Sequence, residues 1–181
     1  GSFYGACRGR CRPILGHMLC GVDNLRPRLI DPTAKCQSLL EQAGAPLTVF
    51  VETLELANFA ALEREPIRSQ NHGIAAQLKL LLENGHKLEL HLHPQWMRAQ
   101  EKTSGWQLDY EKWRIGDLSD TEITECVNRG LSFLSRFKTQ ENMTSPVFRA
   151  GGWAMQPSDK VLKELYQAGI RIDSTVAPGA Y

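Results

Sequence analysis

Hydrophobic positions along the chain switch between a helical and an extended period, and the switch recurs as one unit. Asp31-Pro32 predicts a helix start, with Asp31 as N-cap and Pro32 at the first helical position. Leu39, Leu40 and Ala43 follow, Gly44 stops the helix, and Leu47-Thr48-Val49-Phe50-Val51 reads as a buried strand. The second unit predicts a helix over 71–84, with Ile74, Leu78, Leu81 and Leu82 on one stripe. Gly85 is its C-cap and residues 87–93 are the next strand. The third predicts a helix over 157–168 with Val161, Leu162, Leu165 and Tyr166, then Gly169 and the strand Ile170-Arg171-Ile172-Asp173. A further helix begins at Ser119, which forms a capping box with Glu122 ahead of Ile123, Val127, Leu131 and Leu134. Val147-Phe148-Arg149 reads as a short strand, and Met18-Leu19-Cys20-Gly21-Val22 as the first. Helices alternating with short buried strands predict an α/β fold with a parallel sheet, open or closed into a barrel. Its chemistry belongs at the C-terminal ends of the strands. Residues 95–118, with Trp96, Trp106, Tyr110 and Trp113, form a long connection without period, of the kind that often carries function.

Composition narrows the classes. With 181 residues, 42% hydrophobic, the chain suits one globular domain over 15–181, after a poorly defined segment 1–14. A net charge of +1 gives no reason to expect nucleic acid or an anionic membrane as partner, and the apolar runs are too short for a transmembrane segment. Cys7, Cys11, Cys20, Cys36 and Cys126 are odd in number and irregular in spacing, with no knuckle of metal ligands. Arg8, Arg10 and Arg12 are followed by no apolar stretch of signal-peptide type. Both features point to a reduced, cytoplasmic chain.

The strand Leu88-Glu89-Leu90-His91-Leu92-His93 alternates strictly, so its leucines share one face and Glu89, His91 and His93 the other. A lone histidine is more often structural, but two at i, i+2 on one face at a strand end come within reach of one metal ion. Pro94 closes the strand. A carboxylate is wanted as third ligand. Asp23 would leave the first strand at the right level, with a turn or cap as its alternative role; Glu52 is the reserve, and Asp173 lies in the same layer. In Phe148-Arg149-Ala150-Gly151-Gly152-Trp153, the glycines either expose backbone N–H groups in a tight turn or simply make a loop. Arg149 either orients a carboxylate there or forms a surface ion pair. Trp96 and Trp153 are candidates to stack on sugar rings, whereas Trp106 and Trp113 read as loop or core wedges.

In order, these segments resemble the polysaccharide deacetylase superfamily, the carbohydrate esterase family 4-type domain, from about Leu15 to the end of the chain. Pro46-Leu47-Thr48-Val49-Phe50-Val51-Glu52 is similar to the family's second strand, and Asn84-Gly85-His86-Lys87-Leu88-Glu89-Leu90-His91 to the stretch leading to its first histidine ligand. Phe148-Arg149-Ala150-Gly151-Gly152-Trp153 resembles the arginine motif, and Gly169-Ile170-Arg171-Ile172-Asp173-Ser174-Thr175-Val176 the later Asp-Ser strand. The resemblance implies a distorted (β/α) barrel of the glycoside hydrolase/deacetylase type. It implies a divalent metal, usually zinc, held by one Asp and two His, whose bound water attacks an acetylated, commonly N-acetylated, carbohydrate. Carried over, Asp23 is metal ligand or base, His91 the first histidine, and Arg149 the residue that orients the base; Asp173 is a further catalytic candidate. Trp96, Gly151, Gly152 and Trp153 would line the substrate.

Three positions depart from the family pattern. Val22 and Asn24 flank Asp23, where the family places paired acids; Gln95 stands four residues after His91, where it places its second histidine; and no leucine-histidine motif for the general acid occurs. His93 is the expected replacement for the second ligand, and the barrel is expected to lack its last strands at the C-terminus. Two other readings stay open: an amidohydrolase-type C–N hydrolase, for which His-x-His is also a metal motif, and a degenerate barrel that binds carbohydrate without catalysis.

Overall fold

The computed structural model describes residues 29–103, 105–138 and 146–175. The expected strand around Met18, Asp23 and the segment 1–14 lie outside them.

Helix α1 (Asp31–Gln42) starts one residue earlier than its sequence suggests: Ile30 is the flanking residue, and Asp31 is the first helical position, with no side-chain cap bond. Gly44, at φ 66°, turns the chain out of it. Strand β1 (Thr48–Glu52) runs directly into α2 (Thr53–Ala60). Glu52 joins the two, because its carboxylate accepts from the backbone N–H groups of Leu54 (3.1 Å) and Glu55 (3.3 Å). Next comes α3 (Ile67–Glu83), one turn longer at its start than the hydrophobic stripe implies and burying Ile67, Ile74, Leu78 and Leu81. Gly85, at φ 80°, delivers the chain into β2 (Lys87–Leu92).

The long connection after β2 is ordered. A 3-10 turn (Pro94–Trp96) leads to a hairpin of β3 (Gln100–Lys102) and β4 (Gly105–Gln107). Phe59, Trp96 and Trp106 pack edge-on within 5.4–5.8 Å beneath it. Helix α4 (Asp120–Ser135) opens with the expected reciprocal Ser119–Glu122 capping box. The chain then passes through β5 (Val147–Ala150) and α5 (Ser158–Gln167) to β6 (Ile172–Asp173).

Strands β1, β2, β5 and β6 lie side by side in that order, all parallel. Each strand therefore joins the same edge as its predecessor. Leu88, Leu90 and Leu92 are all buried. Beneath them α4 approaches so closely at Gly130 that a Cβ there would stand 2.7 Å from Leu90 Cδ1, Leu92 Cδ2 and Thr53 Oγ1. The alternation of β2 turns Glu89 and His91 to the other face. Glu89 is buried there, accepting from the Val147 N–H at 2.8 Å, with Lys138 Nζ at 3.9 Å. Among the described residues, no helix is long and apolar enough to cross a membrane.

Candidate metal centre

Parallel register lines up one rung across three strands at their C-terminal ends, Glu52 with His91 and His91 with Arg149. Register partners in a parallel sheet send their side chains to the same face, so Glu52, His91 and Arg149 project together. His93, two residues past His91, completes the group just beyond the strand end. The result is a cluster of Glu52, His91 and His93 whose ligand atoms all lie within 4.8 Å of one another. The two imidazoles meet edge to face, with ring centroids 4.7 Å apart at 83°.

Each ring is tied by its Nδ1. His91 Nδ1 lies 2.8 Å from the Arg149 carbonyl oxygen, and a carbonyl only accepts, so this nitrogen carries the proton. His93 Nδ1 lies 2.6 Å from Glu52 Oε2. The environments drive the two rings apart electrically. Burial pushes His91 below the ordinary histidine value, outweighing the pull of the Glu52 carboxylate, and the neighbouring His93 pushes the same way. For His93 burial acts in the same sense, but the charge of Glu52, its hydrogen bond and the charge of Glu55 together overcome it and raise the ring above the ordinary value.

Gly151, at the end of β5, makes room for this arrangement. A Cβ there would stand 2.4 Å from His93 Cδ2 and 2.8 Å from the Leu92 carbonyl oxygen, so no other residue fits without displacing the ring. Gly152 (φ 61°) and Trp153 (φ 54°) are both in the left-handed region, unusual for a tryptophan, and Trp153, two residues after Gly151, is 57% exposed.

The other expected residues divide. Arg149 brings its guanidinium 3.9 Å from the Phe50 ring centroid and donates from Nη2 to Ser174 Oγ at 2.8 Å, while its carbonyl holds His91. Asp173 turns its carboxylate onto its own chain, accepting from the Thr175 N–H (3.1 Å) and hydroxyl. Trp96 requires a correction: it is 1% exposed and locked in the Phe59–Trp106 cluster, so it presents no face to a sugar. The 3-10 turn that follows His93 carries it into the core. Gln95 is also buried, and its Oε1 has no hydrogen-bond partner among the described residues. Asp23 lies outside the described residues. Glu52, only a reserve carboxylate by sequence, is the acid the fold delivers. Its place at the end of a strand was legible, but the helix that follows at once and the register that sets it beside His91 were not.

The cluster suits a divalent ion of zinc type, since imidazole nitrogens with a carboxylate close by are what zinc commonly takes. The His91 tautomer fits as well, because a proton on Nδ1 places the lone pair on Nε2. No protein-family model, curated protein or solved structure matches the chain. The likeness to polysaccharide deacetylases therefore rests on the motif residues themselves.

Proposed function

We propose that this chain is a metal-dependent hydrolase of the polysaccharide deacetylase type, removing acetyl groups from acetylated carbohydrate. One observation carries the reading: His91 and His93 converge with a carboxylate at the C-terminal ends of neighbouring parallel strands, the place where α/β folds keep their chemistry. The strand order adds support for a barrel wall. Successive addition to one edge, with crossovers of one hand, puts the connecting helices on one face and leaves the other for an interior. Glu89, His91 and Glu52 occupy that other face.

A zinc ion at His91 and His93, with Asp23 as the acid implied by the resemblance, would supply an activated water and polarise the acetyl carbonyl. The chain's own groups supply the rest. The Arg149 carbonyl holds His91 in one tautomer, and Glu52 holds His93. Gly151 lets the ring of His93 sit against the backbone, and exposed Trp153 offers an apolar face for a sugar ring. The proton on a departing amine requires a donor; Asp173, the candidate read from the sequence, pairs in register with Phe148 and so lies on the Leu90 face of the sheet, away from His91.

Acetate release from acetylated chito- and xylo-oligosaccharides, with and without chelator, tests the activity. Elemental analysis should show about one zinc per chain, lost in the His91→Ala, His93→Ala double variant; unchanged metal in that variant would exclude the site. A second reading has its own observation. The 2.6 Å His93–Glu52 bond with Glu52 capping α2 is also a self-sufficient structural pair, as expected of a carbohydrate-binding barrel without catalysis. Sugar binding indifferent to chelator, with no acetate released, would favour it.

A further inference from the structure

We infer that Glu52 is a positioning residue and not a metal ligand: anchored on the N-terminus of α2, its carboxylate holds His93 by Nδ1 and so aims Nε2 at the ion. This deepens the metal reading above and rests on it.

Both oxygens of Glu52 are already committed. Oε1 accepts from the N–H groups of Leu54 and Glu55, which fixes the carboxylate to the first turn of α2. Oε2 lies 2.6 Å from His93 Nδ1, the length of a charge-assisted bond. An ionised carboxylate only accepts, so in the neutral ring the proton belongs to Nδ1 and the lone pair is on Nε2. The ring is held from its other edge too, since the Gly151 backbone fills the space against Cδ2 and Cγ. His91 repeats the device, with the Arg149 carbonyl in place of the carboxylate.

The three clustered side chains thus separate by role into two rings presenting the same nitrogen and one acid fastening a ring from behind. Direct ligation through Oε2 would make one oxygen serve both the ion and His93, and ligation through Oε1 would compete with the two N–H groups it caps on α2. Outer carboxylates of this kind orient the ring, fix its tautomer and raise its basicity, and their loss weakens metal binding by about 10–100-fold.

Glu52→Asp separates the two tasks of the residue. Aspartate is among the best helix caps, but one methylene shorter it falls short of His93. The measurements are Zn2+ affinity by competition with a chromogenic chelator, the visible spectrum of the Co2+-loaded chain, and 15N-histidine NMR of the metal-free chain. We expect E52D to fold without metal, at a somewhat lower melting temperature for the lost His93 bond, and to bind Zn2+ about 10–100-fold more weakly. Its Co2+ spectrum should keep the wild-type intensity, because no donor is lost, and the His93 tautomer should become mixed. Should E52D fail to fold, Glu52→Gln keeps the side-chain length and carries the same expectation, since one amide oxygen cannot serve both the helix and His93. Wild-type affinity in the variant would overturn the role. So would a loss as complete as in His91→Ala together with a changed Co2+ spectrum, which would make Glu52 a ligand. A wild-type chain that takes up no Zn2+ would instead defeat the metal reading and this role with it, and the blank in the unmutated protein identifies that failure.

Discussion

At the scale of single residues, two histidines two positions apart on one strand acquire opposite electrical characters. Burial dominates at His91, where the ring's nearest fixed contact is a neutral carbonyl, so the charged form is disfavoured. His93 has a carboxylate within hydrogen-bond length, which overcomes a comparable burial. In the metal-free protein, 1H–13C NMR should therefore find His91 titrating below, and His93 above, the ordinary histidine value of about 6.5. The consequences for stability follow with opposite signs. His91, lowered on folding, contributes stability that is present above the ordinary value and lost as pH falls through its folded value. His93, raised on folding, contributes stability that is present below the ordinary value and lost as pH rises through its folded value. Together they give the metal-free chain a local optimum near the ordinary value. A common midpoint for the two rings would contradict this account. The pair itself was legible from the alternation Leu88 to His93; the sign of each shift was not, because it depends on which acceptor another strand brings to each Nδ1.

At the scale of elements, local signals served where the deciding contacts are local. The Ser119–Glu122 box needs only a helix start three residues long, and it forms as read. Helix α2 escaped notice because its eight residues span barely two turns, too few for a period, and because its cap is a glutamate reaching forward from a strand. Asp31 sits one position inside α1 because Ile30 already has helical backbone angles. Helix α4 carries a test of packing against propensity. Gly130→Ala in an isolated helix would stabilise by about 1 kcal/mol. Here the added methyl meets Leu90, Leu92 and Thr53 at 2.7 Å, all of them buried. We expect a net destabilisation of about 1–3 kcal/mol in denaturant unfolding, and a stabilised variant would show that α4 does not press on β2 as described.

At the scale of the whole molecule, the fold and the proposed ion are linked by mass action. The cluster draws on the ends of two strands that come together only when the sheet forms, so an unfolded chain has no equivalent site and metal binding should stabilise the native state. Zinc at 100 times its dissociation constant should add about 2.7 kcal/mol, which for a chain of this size raises the melting temperature by about 5–10 °C. Chelator should reverse the shift, and a melting temperature unmoved by zinc in the wild type would argue against the centre.

The sequence by itself determined the alternation of helices and parallel strands, the polar face of β2 and its two histidines, and the glycine-rich turn after β5. These follow from periods and turn chemistry carried within a few neighbouring residues. Only the tertiary structure decided that Glu52 is the acid beside those histidines, that Gly151 is the floor under His93, and that Trp96 belongs to the core. Those three outcomes depend on strand register and on the direction taken by a single 3-10 turn, which bring together residues about 40 to 60 positions apart in the chain, farther than any local pattern reaches.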